Sequence, residues 1–122
     1  MTPTTYVYFD YSQSKHDDSL VIGGYLPLEK VYMYEPIPAE LSAEDGRYIL
    51  GAQANIWTEY MPYPSKIEYM IFPRMDALSE VVWSPKSARN WEDFKKKLPY
   101  QLKRYELWKT HYFNDVQEYD LH

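Results

Sequence analysis

The strand read over Tyr48 to Trp57, YILGAQANIW, with TEY after it, leaves a chain little choice of structure. Alternation puts Leu50, Ala52, Ala54 and Ile56 on one face and Gln53, Asn55, Trp57 and Glu59 on the other, the period-two pattern of a β-strand. Small apolar side chains suit a face against which a helix packs, while the opposite face ends in an indole and a carboxylate. A strand of this kind needs neighbours on both sides.

The first of these is near the start of the chain. TYVYFDYS alternates as well, with Tyr6, Tyr8 and Asp10 on one face and Val7, Phe9 and Tyr11 on the other, so a second strand ends in a carboxylate. The polar stretch SQSKHDDS reads as a loop, and Gly23-Gly24 marks a turn. In PLEKVYMYE, Leu28, Val31 and Tyr32 recur at helical spacing behind Pro27, and Pro36 and Pro38 stop the helix. Ser65 followed by Glu68 has the form of a capping box opening another helix, which Pro73 ends or kinks. ALSEVVW, residues 77–83, reads as a third strand, with a helix as the alternative. Asn90 caps a helix whose apolar positions Trp91, Phe94, Leu98, Leu102, Tyr105 and Trp108 follow a 3.6-residue period, with Pro99 as a kink or break. NDVQEYDLH has no periodicity and reads as a tail, so the organisation is one unit over 1–112 and a tail over 113–122.

Strands alternating with helices are the mark of βα units feeding a parallel sheet. A doubly wound sheet and part of a (β/α)8 barrel both satisfy that order. Polar side chains at the carboxyl ends of strands favour the α/β barrel, where the C-terminal rim carries the chemistry.

Composition excludes some partners. A net charge of -5 disfavours a phosphate backbone, and the basic residues gathered between Lys95 and Lys109 fall on a helical, solvated face, so no nucleic acid is expected. There is no cysteine, hence no disulfide and no thiolate metal site. His16, His111 and His122 have no metal-binding spacing. No apolar run reaches the roughly 18 residues of a membrane span. Fourteen tyrosines and four tryptophans supply flat apolar faces with polar tips, surfaces that sugars and protein partners both use.

YVYFDY, PLEKVYMYEPIP, ILGAQANIWTEY and EYMIFPRMDALSEVVWS, in this order, resemble the last three βα units of the catalytic barrel of family 20 glycoside hydrolases, the β-N-acetylhexosaminidases. The resemblance covers nearly the whole chain. It implies enzymes that remove terminal N-acetylglucosamine or N-acetylgalactosamine from glycans, with the substrate's acetamido oxygen in place of an enzyme nucleophile, no cofactor, and a secreted or periplasmic parent. By resemblance, Tyr8 hydrogen-bonds the acetamido oxygen, Asp10 and Glu59 accept hydrogen bonds from sugar hydroxyls, and Trp57 lies against the apolar face of the sugar. On residue type alone, Tyr8 and Trp57 read as core aromatics, and Asp10 and Glu59 as exposed strand-end charges. For Asp10 and Glu59 the inward parity shared with Tyr8 and Trp57 favours the sugar, for Trp57 the neighbouring Glu59 does, and for Tyr8 only the resemblance does.

Two departures follow. The family's acid and orienting residue form an Asp-Glu pair on an earlier strand, and no Asp-Glu dipeptide occurs here; Glu44-Asp45 is reversed. No tryptophan lies between Asp10 and Trp57 to enclose the acetamido methyl, leaving Ile22 or Tyr25 in that place, while Glu80 and Trp83 are assigned to barrel packing. A full barrel takes roughly 250 residues, so the resemblance makes this chain a fragment that carries the sugar-binding wall, is inactive alone, and self-associates through exposed sheet edges. The alternative is a non-catalytic, aromatic-rich carbohydrate-binding or interaction module.

Overall fold

A computed structural model of the chain describes residues 1–16 and 20–115. Its regular elements are helices: α1 (Thr4–Val7), α2 (Leu28–Tyr32), α3 (Ala43–Gly46), α4 (Pro64–Ile71), α5 (Arg74–Trp83) and α6 (Trp91–Trp108), with a 3-10 turn at Lys86–Ala88 before α6. Parallel pairing is present, but only as single rungs. Tyr8 pairs with Asn55, through Asn55 N–H to Val7 O at 2.9 Å and Phe9 N–H to Asn55 O at 2.9 Å. Ser12 pairs with Tyr25, through Leu26 N–H to Ser12 O at 2.8 Å and Ser12 N–H to Gly24 O at 3.3 Å. Three extended stretches are therefore aligned in parallel around residues 8–12, 24–26 and 53–57.

The strand expected over 77–83 is instead the body of helix α5. Seven apolar-rich residues fit either period, and here tertiary packing decides: Ala77, Leu78 and Val81, at i, i+1 and i+4, are all buried. Of the three strands expected, the stretches around Tyr8 and Asn55 carry parallel pairing among the described residues and 77–83 does not. The first strand also starts later than its alternation suggests. Thr4–Val7 forms one helical turn, which turns Tyr6 away to stack on Tyr34 with ring centroids 5.2 Å apart.

Two helices begin as their sequences dictate. Pro27 stands at the N-cap of α2. The Asn90 side chain accepts a hydrogen bond from Asp93 N–H at 3.0 Å, and Asn90 N–H donates to the Tyr32 hydroxyl at 2.8 Å, which fastens α6 to α2. Pro99 does not break α6. A helix-interior proline costs about 3 kcal/mol, and burying Phe94, Leu98, Leu102 and Tyr105 on one face offsets it at roughly 1.5–3 kcal/mol per large side chain. The capping box at Ser65 is not used: α4 starts at Pro64 with Tyr63 as its N-cap and no side-chain cap. Proline suits a first helical position because the N–H it lacks would be unpaired there.

The core gathers Val7, Phe9, Leu26, Val31, Leu78 and Val81 with the apolar face of α6. Along 48–59 the inward face holds for Ala52, Ala54 and Ile56, which pack on this core, but Leu50 is 97% exposed. Ser12, Gln13 and Ser14, expected in a polar loop, are buried; Gln13 Nε2 donates to Tyr69 O at 2.7 Å. Trp83, assigned to packing, is 90% exposed, and Glu80 pairs with Lys97 at 3.3 Å. Residues 116–122 of the expected tail lie outside the described residues, and Phe113 is buried against Tyr69. Among the described residues no helix is long and apolar enough to cross a membrane.

Candidate functional site

A cavity of about 620 Å³ opens at the carboxyl ends of the two paired stretches. Tyr8, Asp10, Trp57 and Glu59 all line it, joined by Tyr11, Ile22, Gly23 and Gly24. The Tyr8–Asn55 rung explains the convergence. It sets the two stretches parallel and in register, so side chains just beyond it, Asp10 on one and Trp57 and Glu59 on the other, emerge at the same end.

Each wall residue has a different environment. Asp10 is 4% exposed, and its Oδ1 is buried without a hydrogen-bond partner among the described residues. Burial pushes its carboxyl above the ordinary aspartate value; its own backbone N–H and the Arg74 charge oppose the rise, and the Glu59 charge adds to it. Two carboxylates therefore face one cavity closely enough to repel. Trp57 is 52% exposed, a large ring held open to solvent. Tyr8 is half-buried, with its ring 6.0 Å from that of Tyr11. A carboxylate is acceptor-only, and an unpaired buried acceptor costs on the order of 1–3 kcal/mol, so the Asp10 Oδ1 is open to a donor beyond the described residues.

Sequence parity misses Tyr11. Strict alternation puts it on the face of Val7 and Phe9, yet it lines the cavity, because the chain turns at this point with Tyr11 N–H bonded back to Tyr8 O at 3.3 Å. The glycine pair is legible as a turn but not as a wall. Gly24 has φ of +81°, and a Cβ there would stand 2.8 Å from the Tyr11 ring. Only glycine permits both that conformation and that approach. Of the residues put forward in place of a tryptophan, Ile22 lines the cavity, whereas Tyr25 forms the second parallel rung and lies under the Lys15 ammonium at 5.1 Å.

Comparison with known proteins decides the family. The model of the glycosyl hydrolase family 20 catalytic domain matches residues 1–86. The chain belongs to glycosyl hydrolase family 20. It is 42% identical over 93 residues to a beta-hexosaminidase of Porphyromonas gingivalis, covering 75% of this chain and 12% of that protein. The fold is similar to that of the Streptomyces plicatus N-acetyl-beta-hexosaminidase, at a TM-score of 0.83 and 27% identity over 95% of this chain and 23% of that one. It is also similar to the Vibrio harveyi family 20 exo beta-N-acetylglucosaminidase in complex with N-acetylglucosamine, at a TM-score of 0.79 and 36% identity over 91% of this chain and 18% of that one. The chain thus spans between an eighth and a quarter of the length of these relatives. Their catalytic domains are (β/α)8 barrels, and the parallel stretches and helices described above are a segment of that architecture.

Proposed function

We propose that this chain supplies one wall of the saccharide pocket of a β-N-acetylhexosaminidase, whose complete polypeptide hydrolyses terminal N-acetylglucosamine or N-acetylgalactosamine from glycans. The convergence of Tyr8, Asp10, Trp57 and Glu59 on a single cavity carries this reading. A volume of about 620 Å³ is within the range of pockets that enclose small ligands. The paired stretches are the closing strands of the barrel, with 8–12 leading to α2 and 53–57 leading to α4 and α5.

In this reading the acetamido oxygen of the substrate attacks the anomeric carbon as the bond to the leaving oxygen breaks, with retention of configuration overall. The Tyr8 hydroxyl donates to that acetamido oxygen, holding it in line with the anomeric carbon. Asp10 and Glu59 each accept from sugar hydroxyls. Trp57 offers its exposed ring to the apolar face of the pyranose. The acid that protonates the leaving oxygen, and the aspartate that orients the acetamido group, come from a part of the parent that this sequence does not include, for it holds no Asp-Glu pair. The chain alone binds and does not turn over. Its exposed Tyr48, Leu50, Trp83 and Leu107 make it self-associate, which sedimentation at micromolar concentration checks: a persistent monomer refutes that clause.

The test of the reading is a titration of the isotopically labelled chain with N-acetylglucosamine, followed residue by residue by NMR. Resonances of Tyr8, Asp10, Trp57 and Glu59 move together with one binding curve, and Trp57→Ala abolishes the response. Shifts scattered over α5 and α6, or none at these four residues, overturn it.

A further inference from the structure

Arg74 has no part in the wall described so far, yet its side chain is 0% exposed. We propose that Arg74 is a positioning residue for the saccharide wall: from the first turn of α5 it grips the main chain on both sides of Asp10 and aims that carboxylate into the cavity. The inference rests on the reading of the cavity as a sugar pocket.

Arg74 Nη2 donates to Phe9 O and, at 2.5 Å, to Met70 O; Nη1 donates to Tyr11 O at 2.8 Å and to Leu26 O at 3.1 Å; Nε donates to Met70 O at 3.1 Å. Phe9 and Tyr11 are the neighbours of Asp10 in sequence, so one planar fork clamps both adjacent carbonyls. The guanidinium also lies 5.0 Å from the Phe9 ring. Leu26 belongs to the second parallel rung and Met70 to α4, so the same group locks the Asp10 backbone to the stretch that carries Gly24 and to the helix that follows Glu59. The rungs at Tyr8 and Ser12 are isolated. Between them the chain turns, and a buried cation is what holds its carbonyls in place.

Such a device needs arginine. Five N–H groups in a rigid fork reach carbonyls from three segments at once, whereas the three donors of an ammonium radiate from a single point. A buried guanidinium is tolerated when its donors are satisfied, and here the main chain satisfies them. The charge serves Asp10 as well. Arg74 from α5 favours the ionised carboxylate and Glu59 disfavours it. Lys66 from α4 borders a small gap shared with Asp10, and Tyr8 and Tyr11 flank it on its own stretch. Arg74 thus acts through Asp10 and not on the ligand.

Arg74→Lys and Arg74→Gln, in the 122-residue chain, separate positioning from bulk stability. Amide exchange at Phe9, Ser12 and Leu26, three of the four donors of the parallel rungs, accelerates roughly tenfold in Arg74→Lys, as expected for losing hydrogen bonds to a charged group, while Phe94, Leu98 and Leu102 exchange as in the unsubstituted chain. The Asp10 carboxyl, followed by carbon NMR, titrates at higher pH in Arg74→Gln than in Arg74→Lys, and N-acetylglucosamine binds more weakly to both. Protection lost evenly through α6, a chain that no longer folds with lysine, or unchanged exchange at Phe9, Ser12 and Leu26 overturns the proposal. A parent chain that ignores the sugar counts against the pocket reading alone, and exchange and titration still decide whether Arg74 holds Asp10.

Discussion

The helical half of the molecule and the cavity wall are built on opposite terms. Apolar side chains of α5 and α6 share one core and polar ones find partners: Tyr105 donates to Asp76, Lys97 meets Glu80, and Asn90 caps α6. In the wall, a carboxylate is buried with an unpartnered oxygen, an indole is left open to solvent, and the backbone is joined by single rungs. The first region is arranged for stability. The second holds groups without partners among the described residues, which is where local rules are expected to be broken for function.

That contrast can be broken most forcefully from the helical side. Phe94→Ala removes a ring stacked on Trp91 at 5.6 Å and set 4.8 Å from that of Tyr32, and should cost about 3–5 kcal/mol in urea unfolding while leaving the pattern of sugar-induced shifts at the wall intact. Next is Asp76, which burial pushes up to about 6 against the hydrogen bond from Tyr105. The folded-state value lies above the unfolded one, so the protonated acid favours the fold. This contribution is complete below about pH 4 and lost as pH rises through about 6, on the order of 3 kcal/mol in all. Lys97, Arg104 and Glu80 border the same groove. Asp76→Asn should flatten the pH dependence of thermal stability, and a parental slope in the variant would assign it to another group.

Asn90→Ala deletes the cap of α6 and should cost about 1 kcal/mol, measured by thermal unfolding, with no change at the cavity. Smallest in stability, and sharpest for the comparison, is Asp10→Asn. Because ionisation of Asp10 is penalised by burial, the isosteric amide should leave stability unchanged or raise it slightly, yet by removing the charge and putting a donor in place of one acceptor oxygen it should weaken N-acetylglucosamine binding. Marked destabilisation would show that the carboxylate belongs to the scaffold instead.

How much of this the sequence discloses depends on how local the cause is. α6 follows from its 3.6-residue period and from Asn90, and α2 from Pro27, because caps and periodicity act within one turn. The four wall residues are legible because parity at two strand ends and the family motifs agree. ALSEVVW fails for want of length: seven residues do not distinguish a buried strand from a helix, and only packing on α2 and α6 settles it. Tyr11 is lost because alternation ends where the chain turns after Asp10. Arg74 leaves no local signal at all. Arginine is mostly exposed, and its burial is created by carbonyls brought together from residues distant in sequence.

The single-rung pairing has a thermal consequence. Alignment of the cavity depends on a few main-chain hydrogen bonds and one cation, whereas the helices rest on a shared apolar core, so warming should scatter the wall first. Saccharide recognition would then vanish at a lower temperature than far-ultraviolet ellipticity, and an assay that follows only helix content would overstate how long the chain stays competent.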